Sequence, residues 1–228
     1  MTMERIIYIA DPEILAIPVH ECHERFIDIK TCDDLAYGPP PETERTEPDY
    51  TKMRLTIYEK LLAVQQHLPN GWRLRLYEGF RSLAVQAWLF DNHLKTILRQ
   101  HPHLDPTRQF QMATHLISPV KNLDGTDNIP PHNTGAAVDV ELITDTGELV
   151  DMGMACGEWQ DVPEELCRTI CPGLTHQAQS NRLLLKEVME AQGFVNYPTE
   201  WWHYSYGDRY WAYHTRQAVA IYGSVHEG

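Results

Sequence analysis

Val138-Asp-Val-Glu-Leu-Ile143 places two acids, Asp139 and Glu141, in a run that otherwise has the character of a buried strand. On a strand, side chains alternate, so Val138, Val140 and Leu142 share one face, while Asp139, Glu141 and Ile143 share the other. A carboxylate taken out of water without a partner is expensive, so any fold that buries this strand must bring Asp139 a counterpart from elsewhere in the chain. A metal ion is one such counterpart. A salt bridge to an arginine is another, and for Asp139 taken alone it is the stronger expectation.

The neighbourhood changes that balance. Upstream, Pro130 and Pro131 stiffen the entry to His132, and Gly135 permits the tight turn that folds His132 back beside the coming strand. Much later comes Glu200-Trp-Trp-His203. Set among Trp201, Trp202, Tyr204, Tyr206 and Trp211, His203 by itself suits an aromatic core. In a regular strand Glu200 and His203 would point to opposite faces, so both serve one site only if the chain bends between them. Pro198 makes it plausible that Glu200 leaves a loop while His203 lies in a strand. Together these residues supply two imidazoles, a carboxylate and a further free carboxylate. A hydrolytic zinc needs three protein ligands, an open position for water and a base close by, whereas structural zinc is closed by four ligands that are usually rich in cysteine. The set implies a metal-dependent hydrolase.

Net charge narrows the partners. At −13 the chain is a poor match for nucleic acid or an anionic membrane surface. No apolar run approaches membrane-spanning length, and Met1-Thr-Met-Glu-Arg5 opens no cleavable apolar segment. Of the five cysteines at least one must stay unpaired within the chain, which fits a reducing cytoplasm. Cys167 and Cys171 can meet on a helix, but no second pair completes a zinc knot, and buried thiols acting as small apolar groups account for them. His20, Cys22 and His23 have no companions at ligand spacing. Ser118, Ser205 and Ser224 lack a nucleophile elbow, and no glycine-rich phosphate loop is present.

The length of 228 residues suits one domain over 1–228, with residues 1–50 a less defined segment that can form part of a substrate pocket. Within it, Tyr37 to Pro48 carries Gly38, Pro39, Pro40 and Pro41 and is a surface loop or a lid. Apolar spacing predicts a helix from Met53 to Leu68, stopped by Pro69-Asn70-Gly71. Trp72 to Tyr77 alternates as a half-exposed strand. Ser82 caps a helix that turns Leu83, Ala87, Trp88 and Leu89 inward. Asp145-Thr146-Gly147 closes the strand that carries Asp139. Ser180 caps a helix ended by Gly193, and strands follow at 194–197 and 201–206. Helices and strands mix without a βαβ rhythm, so the expected class is α+β.

Pro131-His132-x-x-Gly135-x-Ala137-x-Asp139, followed by Gly193-Phe-Val-Asn-Tyr-Pro-Thr-Glu200-Trp-Trp-His203, resembles the VanX-type D-alanyl-D-alanine dipeptidases. These are zinc peptidases related to the D,D- and L,D-carboxypeptidases of cell-wall metabolism. The likeness extends through Arg81 and Asp145-Thr-Gly-Glu-Leu-Val-Asp-Met-Gly153, and Asn196-Tyr-Pro-Thr with the double tryptophan favours the dipeptidase branch. It implies a central antiparallel sheet flanked by helices, with the zinc site at the sheet in the hedgehog/D,D-peptidase manner. It makes His132, Asp139 and His203 the ligands of one zinc per chain, Glu200 the general base, and Arg81 the group that meets charge growing on the scissile carbonyl. One such donor is often worth about 3 kcal/mol.

Two departures bear on specificity. The serine usual in the family two positions before the first histidine is replaced by Pro130, which has no hydroxyl. The acid that receives the substrate's amino group in the dipeptidases is displaced, and Glu158 is the matched candidate, with Trp201 and Trp202 expected to help line the substrate pocket. The rivals are a D,D- or L,D-carboxypeptidase with the same metal set, a metal-free hydrolase pairing Asp139 with Glu200, which leaves both histidines idle, and a non-enzymatic zinc-binding module, which would be expected to lose Glu200 or Arg81.

Overall fold

The computed structural model describes residues 5–225. Its strands are β1 (Phe26–Asp28), β2 (Ala36–Tyr37), β3 (Lys52–Arg54), β4 (Trp72–Glu78), β5 (Ala137–Thr144), β6 (Val195–Asn196) and β7 (His203–Ser205). The helices are α1 (Pro12–Leu15), α2 (Leu55–Gln65), α3 (Leu83–Gln100), α4 (Pro106–Ala113), α5 (Glu164–Cys167), α6 (His176–Ala191) and α7 (Arg209–His214). Five strands form one sheet in the order β2-β4-β5-β7-β6, and β1 pairs with β3 in a separate two-stranded ribbon. The sheet is antiparallel except at one edge, where β2 runs parallel to β4. The α+β class expected from the sequence is therefore the class observed, with a parallel edge that strand patterning alone did not reveal.

The alternation of β5 decides how the sheet is used. Leu74, Leu76, Val138, Val140 and Leu142 lie on one face and pack with Ile57, Leu61 and Val64 of α2 and with Leu185 and Met189 of α6. That layer is the main core. The opposite face carries Asp139 and Glu141 and lies towards a second apolar cluster formed by Val85, Leu89, Phe90 and Ile97 of α3 with Ala113 and Ile117. The polar face of the sheet is thus covered, and its acids are buried.

Local boundaries shift where side chains cap differently from the simplest guess. The helix expected from Met53 begins at Leu55, because Met53 is claimed by β3 for pairing with Ile27. Ser82 does cap α3, accepting from the Val85 amide, but the fully buried face is Val85, Gln86, Leu89, Phe90 and Ile97, while Leu83, Ala87 and Trp88 are half-buried. Helix α6 starts at His176 rather than after Ser180, because Thr175 accepts from the Ala178 amide and adds a turn. The N-terminal segment is tied down. Ile9 and Ile14 pack on Tyr197 and Tyr210, and the stretch before β3 runs alongside the functional face.

Candidate metal centre

Three adjacent strands put the site in one row. Asp139 on β5 pairs in register with His203 on β7 and with Glu78 on β4. The β4–β5 register slips between Leu76 and Glu78, so Tyr77 is the extra residue that lets Glu78 meet Asp139. Bulges of this kind re-aim side chains next to active sites.

His132 arrives from a 3-10 turn, Pro131–Thr134, closed by Gly135 at a left-handed φ of 69°. A Cβ at Gly135 would fall 2.2 Å from the Phe26 ring, so only glycine lets the turn lie this close to β1. Nδ1 of His132 is 2.8 Å from the Gly79 carbonyl, which fixes the proton on Nδ1 and leaves Nε2 as a lone pair facing the site. That Nε2 lies 3.2 Å from His203 Nδ1 and 3.5 Å from Asp139 Oδ2. His203 Nδ1 is 3.0 Å from Asp139 Oδ1, and its Nε2 is 3.5 Å from the Ser205 hydroxyl. All three residues are buried, and their ligand atoms lie within 4.8 Å of one another.

Two imidazole nitrogens and a carboxylate oxygen facing each other at 3.0–3.5 Å have few good explanations other than a shared cation. Tetrahedral zinc with bonds near 2.0–2.1 Å sets its ligand atoms about 3.3 Å apart. The donor set, its spacing and its burial fit the metal that the sequence implies. Burial would raise the Asp139 pKa, but the imidazoles of His132 and His203 outweigh it and keep the carboxyl ionised.

The bend required between Glu200 and His203 is present. The Glu200 amide donates to the Tyr197 carbonyl, the Tyr197 amide donates to the His203 carbonyl, and the Asn196 side-chain amide ties down the Glu200 and His203 carbonyls. Glu200 Oε2 is consequently 3.8 Å from His203 Nδ1. Burial, and then the Asp139 charge, push the Glu200 pKa well up, as suits a proton carrier.

Arg81 lies three residues beyond the end of β4, and its amide donates to the His132 carbonyl. Its guanidinium is held by the Glu78 carboxylate on two sides and by Gln86 Oε1 at 3.1 Å, and Gln86 is itself anchored to the Ser118 carbonyl. Burial opposes the charge, and Glu78 more than offsets it.

Arg81, His132, Asp139, Glu200 and His203 line one cleft, joined by Trp202. Trp201 does not join them; it is buried in the main core, edge-on to Trp202 and beneath the Arg182 guanidinium. Glu158 also lies outside. It is exposed, its carboxylate accepts from the Ala155 amide, and it lines a separate depression with Glu141 and Met154. The expected substrate roles of Glu158 and Trp201 therefore have no support in the placement of these side chains. The acid that does enter the cleft is Glu42, accompanied by Tyr77, Cys156 and Trp159. The prolines around Glu42 hinted at a lid, but no motif marked the residue itself.

A buried His-Asp-His set that could hold a metal ion, with a buried glutamate and a clamped arginine on the same cleft, is the arrangement a metal-dependent hydrolase requires. Residues 53–220 match the D-ala-D-ala dipeptidase family of peptidases. The chain is 30% identical to a D-alanyl-D-alanine dipeptidase of Synechocystis sp. over 92% of its own length and 96% of that protein. It is 38% identical to the D-alanyl-D-alanine dipeptidase of Enterococcus faecium, over 72% and 74% of the two chains. Among solved structures, VanYB in complex with D-alanine-D-alanine is 16% identical with a TM-score of 0.42, over 72% of this chain and 78% of that one. The chain belongs to the D-ala-D-ala dipeptidase family and is a metallopeptidase.

Proposed function

We propose that the chain hydrolyses D-alanyl-D-alanine or a closely related dipeptide, with one zinc held by His132, Asp139 and His203. The observation that carries this is the convergence of three metal-competent atoms, Glu200 and Arg81 on one cleft in a chain of this family. Zinc bound there would polarise the scissile carbonyl and acidify a water molecule.

The remaining work falls to the chain's own groups. Glu200, whose carboxylate is made more basic by burial and by the Asp139 charge, takes a proton from the attacking water and returns it to the departing amine. Arg81 faces negative charge as it grows on the carbonyl oxygen, and its clamp by Glu78 and Gln86 means that little reorientation is needed when the charge appears. His132 and His203 are pre-aimed by the Gly79 carbonyl and the Ser205 hydroxyl. Walls from Leu89, Ile117, Trp159 and Trp202 limit water in the cleft. No helix among the described residues is long and apolar enough to cross a membrane. Three buried thiols, at Cys156, Cys167 and Cys171, support a reducing, cytoplasmic setting.

The direct test is hydrolysis of free D-Ala-D-Ala beside N-acetyl-D-Ala-D-Ala by zinc-loaded and chelator-stripped enzyme. Zinc-dependent release of D-alanine from the free dipeptide is the expected result. Efficient cleavage of the acylated substrate would move the chain to carboxypeptidase action, and turnover that survives stripping would remove the metal from the reaction. Glu200→Ala is expected to keep stoichiometric zinc and lose at least roughly 100-fold in kcat. Loss of zinc together with activity would instead make Glu200 a ligand.

A further inference from the structure

Among the described residues, Glu42 is the one acid lining the cleft that this chemistry does not use. It leaves the proline-rich stretch ahead of β3 and lines the cleft with the metal-competent residues. Its Oε1 accepts from Trp159 Nε1 at 2.8 Å and lies 3.5 Å from the Tyr77 hydroxyl. Its Oε2 is shut off from solvent and has no hydrogen-bond partner. The backbone there takes a φ of 52°, in the left-handed region that a side chain such as glutamate seldom adopts. A strained backbone that delivers an unsatisfied carboxylate oxygen into a binding cleft points to a donor arriving with the ligand.

The charges in the cleft indicate what kind of donor. Arg81 is close enough to favour the ionised form of Glu42, but its guanidinium is engaged by Glu78 and Gln86. Glu42 is then a carboxylate with no committed counter-charge. We propose that Glu42 receives the free ammonium of the dipeptide substrate and thereby sets the preference for an unblocked amino end. This rests on the dipeptidase reading above and assigns it a residue outside the matched family region, in place of Glu158. The ammonium brings both things the site lacks, a positive charge and N–H donors for Oε2. Burial, and then the Glu78 charge, push the Glu42 pKa up to about 7 in the ligand-free protein, and a bound ammonium would draw it back down.

The experiment compares D-Ala-D-Ala with propionyl-D-alanine, which is the same molecule without its amino group, so size is not a variable. Zinc-loaded wild type, Glu42→Gln, Glu42→Asp and Glu158→Gln are assayed for D-alanine release, with zinc content and thermal midpoint checked for each. Wild type and Glu158→Gln should prefer the free dipeptide. Glu42→Gln should raise KM for it by roughly 30-fold or more, affect propionyl-D-alanine far less and so collapse the preference. Glu42→Asp, which keeps the charge, should retain part of it. An unchanged preference in Glu42→Gln, or its loss in Glu158→Gln instead, overturns the assignment while leaving the dipeptidase intact. Wild type that cleaves neither compound overturns the dipeptidase reading and this proposal with it.

Discussion

At the residue scale the site is a set of buried acids, each matched with a different partner. Asp139 has two imidazoles and Glu78 has a guanidinium, while Glu42 has an indole N–H on one oxygen and nothing on the other. That difference has a consequence for stability. The Glu42 pKa rises from an ordinary 4.5 to about 7 in the folded protein, so folding favours its protonated form. Its contribution is therefore fully present below about pH 4.5 and is lost as pH climbs through 7. Glu42→Gln should unfold at a higher denaturant concentration than wild type at pH 8, by up to about 3 kcal/mol in stability, and the gap should close at pH 5. A gap that is equal at both pH values would show that Glu42 does not titrate with folding. Which residues were legible follows the same physics. His132, Asp139, Glu200 and His203 announce themselves because costly residue types recur at spacings that one metal explains. Glu42 does not, because a lone glutamate among prolines resembles any solvated loop, and the position of Glu158 in a motif says nothing of which way its side chain turns, which in the folded chain is away from the cleft.

At the level of elements, the decisive pieces are turns rather than helices. The 3-10 turn at Pro131–Thr134 works because Gly135 adopts a left-handed φ directly against Phe26, whose ring is edge-on to Phe80 and lies beneath the Arg54 guanidinium. That ring cannot easily retreat. Gly135→Ala should cost about 2 kcal/mol or more in chemical denaturation and weaken zinc binding, since His132 sits in the same turn. Normal zinc affinity in that variant would separate the turn from ligand placement. The bend before β7 was legible only as a requirement, that Glu200 and His203 share a face; the carbonyl contacts of Asn196 that enforce it come from the folded chain. The early start of α6 depends on Thr175 outcompeting Ser180 as a cap, a choice between two good candidates that local sequence does not make.

Considered whole, the molecule is a sheet with one apolar face against α2 and α6 and one acid-bearing face under α3 and the segment before β3. A buried cation site of this kind couples metal binding to folding, because the unfolded chain does not preserve the site. Zinc should raise the thermal midpoint and chelation should lower it, with a difference of about 4 kcal/mol when free zinc is a thousand times its Kd. His132→Ala should abolish the shift. A midpoint indifferent to zinc in the wild type would mean that the three residues do not bind it.

By itself the sequence determined the class of fold, the alternation that makes one face of β5 apolar and the other acidic, and the metal-competent trio with its attendant glutamate and arginine. Those are consequences of local periodicity and of the cost of burying charge, and both are written in residue types and spacing. Only the tertiary structure decided that β2 joins the sheet in parallel, that Trp201 serves the core while Trp202 faces the cleft, and that Glu42 rather than Glu158 lines the cleft of the metal-competent residues. Each of these depends on which segments distant in sequence come to lie against one another, and that is settled by long-range packing that no local pattern encodes.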